Sequence, residues 1–224
     1  MNKKTIAIFA VSMVLVCALS VFTTLALLSD TTDVVTNTFT SGNVTITLDE
    51  TLATNGVIAE GETQRVQEND YVFTPKATFD KDPTIHVGDS SENCYVAALI
   101  EFKNVPAEDA ANVDLMAQYG IANQIVADTN AYITVVAATK GTDGLYSGSY
   151  VIYYEAAKTA NTDLKLFTTI TTPDVGNEAL EAVTAGGDDY STIKVTGYAV
   201  QSNNNGTDAL LALQTEFAAL KPAA

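Results

Sequence analysis

The chain has 224 residues, with 27 Asp and Glu against 11 Lys and Arg, for a formal net charge of −16 at pH 7. A surface this acidic repels nucleic acid and anionic lipid, and it opposes self-association at low salt. One histidine excludes a His-Glu-x-x-His metalloprotease, and two cysteines are too few for a disulfide scaffold.

Residues 1–28 begin with Lys3 and Lys4 and turn apolar from Ile6. Thr24 and Ala26 are small residues at −3 and −1 of a cleavage point between Ala26 and Leu27. This is the pattern of a secretory signal peptide over residues 1–26. The run is also long enough to span a bilayer, so a retained anchor is the competing reading. The two lysines hold the N-terminus in the cytoplasm and send everything after Ala26 outside. Cys17 follows Val16, not a small residue, which argues against a lipoprotein anchor. Removing the signal takes two lysines, so the exported part has 27 acids against 9 bases, a net charge of −18. It keeps Cys94 as its only thiol.

Residues 27–42 are polar and β-branched, with no helix signal. From Asn43 the pattern alternates: Val44, Ile46 and Leu48 face one way, Asn43, Thr45 and Thr47 the other. That predicts a half-buried strand over 43–48. A loose polar stretch follows over 50–70, with Asn55-Gly56 as a turn. Residues 71–75 read as a short strand stopped by Pro75. Residues 83–87 alternate, with Ile85 and Val87 inward and His86 solvated beside Thr84. The strongest buried strand is 94–102, where Cys94 is a small core residue and not a nucleophile. Asp80 and Asp82, like Asp188 and Asp189, read as solvated turns.

A helix is predicted over 106–120, with Pro106 at its start, Gly120 past its end and a stripe of Val113, Met116 and Ala117. Strands follow over 131–138, 149–156, 164–172 and 191–200. A short helix falls at 176–187. The last helix, 207–220, is capped by Thr207 or Asp208, with Leu210, Leu213, Phe217 and Leu220 on one face. It is too short to span a membrane. Six to nine strands without a βαβ rhythm predict a mainly β fold: one antiparallel sandwich domain over 43–224, with two or three short helices. No catalytic, cofactor-binding or metal-ligating set emerges. There is no Gly-x-Ser-x-Gly elbow, phosphate loop, Rossmann glycine pattern or calcium loop. The reading is a non-enzyme.

Three stretches together resemble the exported TasA/camelysin family of Gram-positive bacteria. The first is "LLSDTTDVVTNTFTSGNVTITLDE", with Ser29-Asp30, Asn37, Phe39 and Ser41-Gly42 ahead of the alternating strand. The second is "FTPKATFDKDPTIHVGDSSENCYVAALIEF", and the third is "IKVTGYAVQSNNNGTDALLALQTEF". Residues 105–190 carry no matching motif. Two positions depart from the pattern: Leu27-Leu28 stands where an aromatic pair is common, and Pro75-Lys76 where Pro-Gly is usual. The resemblance implies a jelly-roll sandwich, cleavage by a SipW-type signal peptidase, and a secreted subunit of biofilm-matrix fibres at the cell surface. It also implies self-association into filaments, with an accessory or anchor protein as a further partner, and contact with membrane only through the signal. In such fibres the N-terminal segment of one subunit completes a sheet of its neighbour. Here that donor strand falls within residues 27–42, and Val34, Val35 and Phe39 would fill the acceptor's pockets. The other readings are that this segment is an edge strand of its own domain, or that the protein is a monomeric surface-adhesion module.

Overall fold

The computed structural model describes residues 43–126, 129–176, 191–203 and 205–223. Ten strands form within them: β1 (Ile46–Thr51), β2 (Arg65–Val66), β3 (Thr78–Asp80), β4 (Thr84–Val87), β5 (Cys94–Val105), β6 (Asn130–Lys140), β7 (Tyr146–Tyr154), β8 (Asp163–Lys165), β9 (Thr169–Thr171) and β10 (Thr192–Gln201). The fold is mainly β, and every strand pairing is antiparallel. One four-stranded sheet has the order β2-β1-β4-β8, a second β10-β5-β7-β6, and β3 and β9 form a separate ribbon.

The first sheet follows from the alternation in its strands. Its register sets Ile46 opposite Val87 and Leu48 opposite Ile85, so these four apolar side chains share the inner face. Thr47 lies opposite His86 and Asp49 opposite Thr84, on the outer face. In the second sheet, β5 is apolar at nearly every position because both its faces are covered. Val96, Ala98, Ile100 and Phe102 join Ile46, Ile85 and Val87 in the main core between the sheets. The intervening Tyr95, Ala97 and Leu99 form a second cluster with Ala209, Ala212 and Leu213 of the C-terminal helix (Ala209–Glu216) and with Leu220. Asp208 caps that helix by accepting the Leu211 N–H at 2.9 Å. No helix among the described residues is long and apolar enough to cross a membrane.

Four sequence-based expectations are corrected. Residues 71–75 form no strand; Val72 is 82% exposed, and pairing begins at Thr78, after Lys76 turns the chain with φ 59°. Residues 106–120 give only a four-residue helix, Leu115–Gln118. Its cap is Asp114, which accepts the N–H groups of Met116 and Ala117, while Ala117 itself faces solvent. Upstream, Ala107 is buried and Glu108 exchanges two hydrogen bonds with Gln118, which holds the chain out of a helix. The stretch 164–172 splits into β8 and β9, which lie in different sheets. Adjacent Leu166 and Phe167 are both buried, so period-two alternation breaks there. The loose 50–70 stretch contains β2, paired to β1 through Thr51 and Arg65. The predicted helix over 176–187 and Asp188-Asp189 fall largely or wholly outside the described residues.

Candidate assembly edge and charged sheet face

The cleavage pair Ala26 and Leu27, and the donor-strand residues Val34, Val35 and Phe39, all lie outside the described residues. The described chain begins at Asn43, and its entry point is fixed. The Asn43 C=O accepts the Glu92 N–H at 3.1 Å, and the Thr45 C=O accepts the Gly88 N–H at 2.8 Å. Next to Glu92, the Asn93 C=O accepts the Ser202 N–H at 2.8 Å. Asn43, the first described residue, therefore lies beside the end of β10.

The edges of the sheets differ. β2 has two residues, and β8, β3 and β9 have three each, too short to template a long partner. β6 is long, but its register slips twice, between Thr134 and Val136 and between Val136 and Thr139. The Ala223 N–H also occupies its Val135 C=O at 2.8 Å. Bulges of this kind blunt an edge. β10 is long, and its ten pairs with β5 run without a slip. The Ser202–Asn93 bond sets the phase of that ladder. Ile193, Val195, Gly197 and Ala199 consequently turn their N–H and C=O away from β5. The Gln201 C=O, in the same phase, is taken by Asn205 Nδ2 at 2.6 Å. The other four residues have no backbone partner among the described residues. β10 is thus the one long, regular, open edge in the described part of the fold.

The outer face of the first sheet carries the densest charge cluster. Asp82, expected to be solvated, is only 5% exposed. Its carboxylate accepts the Thr51 N–H at 2.7 Å and the Thr51 hydroxyl at 2.9 Å, and it pairs with Arg65 at 3.4 Å and Lys165 at 3.1 Å. Burial pushes its pKa up, but the Thr51 hydrogen bonds and Lys165 outweigh that and hold it below the usual carboxylate value. Arg65 also donates to Asp49 Oδ1, Nε at 2.7 Å and Nη2 at 2.6 Å. His86, also expected to be solvated, meets Asp163 Oδ1 through Nδ1 at 2.7 Å and Asp49 Oδ1 through Nε2 at 2.9 Å. The alternation of β1 and β4 placed these residue types on one face. What sequence reasoning missed was the register that brings them together.

Cys94 is fully buried, and burial pushes its thiol pKa up to about 11, against a smaller opposing hydrogen bond from Ser91. It is a protonated thiol at neutral pH, as a small core residue would be. Among the described residues, no group of three or more His, Cys, Asp or Glu side chains is arranged to hold a metal ion. Comparison with family models, with curated proteins and with solved structures gives no match to this chain.

Proposed function

We propose that the protein is a secreted, non-enzymatic structural subunit of the TasA/camelysin type. On this reading it is released by cleavage between Ala26 and Leu27, folds as a jelly-roll sandwich and assembles into extracellular matrix fibres by donation of the 27–42 segment. The observation that supports this best is β10: ten residues of regular strand, open on one side among the described residues, ending beside Asn43, the residue that residues 27–42 lead into. A strand of that length spans about 33 Å, and an extended segment of residues 27–38 spans about 40 Å. Strand addition satisfies the outward backbone groups of β10, and Val34, Val35 and Phe39 supply apolar anchors. The contact is head-to-tail, so it propagates and does not close.

Electron microscopy of the mature protein is the test. Filaments are expected from the chain starting at Leu27, and none from a chain lacking residues 27–38. The truncated chain remains a β-rich monomer, and a peptide of residues 27–42 raises its melting temperature by mass action. Filaments from the truncated chain overturn donor-strand assembly. A truncated chain that folds neither alone nor with the peptide assigns the segment to its own domain's sheet. Strict monomers of the full mature chain across salt and pH favour the adhesion module.

A further inference from the structure

A neutral imidazole has one N–H and one lone pair, whereas His86 faces a carboxylate oxygen at each ring nitrogen, at 2.7 and 2.9 Å. Carboxylates only accept, so both hydrogen bonds form only when both nitrogens carry protons. The two partners sit on different strands: Asp49 on β1 and Asp163 on β8, with His86 on β4 between them. We propose that doubly protonated His86 is a clamp across β1, β4 and β8, and that its deprotonation unfastens the edge strand β8. The proposal stands independently of the assembly reading.

The charges around the ring support it from every side. β1 contributes Asp49, β2 Arg65, the approach to β4 Asp82, and β8 Asp163 and Lys165. Three carboxylates then face Arg65, Lys165 and His86, a balanced set only while His86 is charged. Burial works against the charge, but hydrogen bonds to Asp163 and Asp49 outweigh it and raise the ring's pKa above its ordinary value. Besides this clamp, β8 is held by its short ladder to β4, by buried Leu164 and by the Lys165–Asp82 ion pair, so His86 fastens its Asp163 end. The strand is three residues long, and Asp163 is 72% exposed at its side chain. A group whose pKa is raised on folding contributes its stabilisation fully below the unfolded value, about 6.5. That contribution is lost as pH rises through the higher folded value.

His86 is the only histidine, so its ring is directly visible by nitrogen-15 NMR. Both ring nitrogens are expected to be protonated at pH 6, with a midpoint above 6.5 that falls in Asp163→Asn. The Asn161 amide, bonded to the Val87 C=O, and the Leu166 amide, bonded to the Pro83 C=O, flank β8. After correction for intrinsic exchange, their hydrogen-exchange protection should drop as pH passes that midpoint. In His86→Gln it should be low and independent of pH. A ring that titrates at or below 6.5, or protection of these amides that does not change across its titration, overturns the clamp. Both readings come from the wild-type chain and stand even where the variants fold poorly.

Discussion

Lys81 and Glu50 form an ion pair at 2.6 Å with both side chains almost wholly enclosed. The Lys81 ammonium also lies 5.5 Å from the centre of the Tyr71 ring. A buried pair adds little over an apolar pair, but breaking it leaves an uncompensated charge. Lys81→Met should therefore cost about 3–5 kcal/mol in urea unfolding, and adding Glu50→Leu should restore much of that loss. Asp82 brings a pH dependence of the opposite sense to His86. Its folded pKa is lowered, so its contribution is present above the unfolded value and disappears as pH falls through the folded one. Stability should thus fall at both ends, at the acid end through Asp82 and, as pH rises through the raised folded value of the ring, through His86, and Asp82→Asn should flatten the acid limb. Neither role was legible in the sequence. Asp82 finds Thr51 across 31 residues, and His86 finds Asp163 across 77. Period two fixes which face a side chain takes, but only register fixes its neighbour.

At the scale of elements, the phase of the β10 ladder separates two substitutions one residue apart. Val195 turns its N–H outward and Thr196 turns its N–H toward β5. Val195→Pro removes the outward donor and spares every hydrogen bond to β5, so the monomer folds, somewhat less stable for the lost packing of half-buried Val195, while strand addition along β10 fails. Thr196→Pro breaks the sheet itself and should lose the fold, which circular dichroism reads. The C-terminal helix is anchored by fully buried Leu213, and Leu213→Ala should cost about 2–5 kcal/mol. β5 was legible as an unbroken apolar run, and β10 from its strand-rich stretch. The C-terminal helix was legible from its Asp208 cap and apolar spacing, but it ends at Glu216, and Leu220 falls in a separate 3-10 turn, so the predicted end at 220 is corrected. The region 106–120 was not legible. Pro106 and the acids after it mimic a helix start, yet Asp114 caps the last turn and the Tyr119 hydroxyl bonds back to the Pro106 C=O at 2.9 Å. The edge of β10, open among the described residues, could not be read either, because edge position is a property of sheet order.

For the whole molecule, charge and shape pull in opposite directions. Under the proposed export and assembly, a mature chain with a net charge of −18 repels its copies, while the ten-residue β10 edge, open among the described residues, invites a partner. Salt screens exposed charges over about 10 Å at 0.1 M, and mild acid neutralises carboxylates. Under the proposed assembly, light scattering should show filament growth quickening with ionic strength and as pH is lowered from neutral. Growth fastest at low salt and neutral pH would contradict it. The acidic balance and the β class were plain from composition and pattern. The two-sided burial of β5 was visible as an unbroken apolar run, although the partner on each face was not.

The buried thiol of Cys94 gives this fold an internal clock. Under the proposed cleavage, which takes Cys17 away with the signal, it is the only sulfhydryl left in the chain. It sits where β5 begins, opposite Gln201 at the end of β10. A thiol reagent can reach it only when that corner opens, so in the fast-reclosing regime the labelling rate reports how often it does so. A segment seated along β10 would slow the clock, and a subunit at a fibre end, with its edge bare, would keep the faster time.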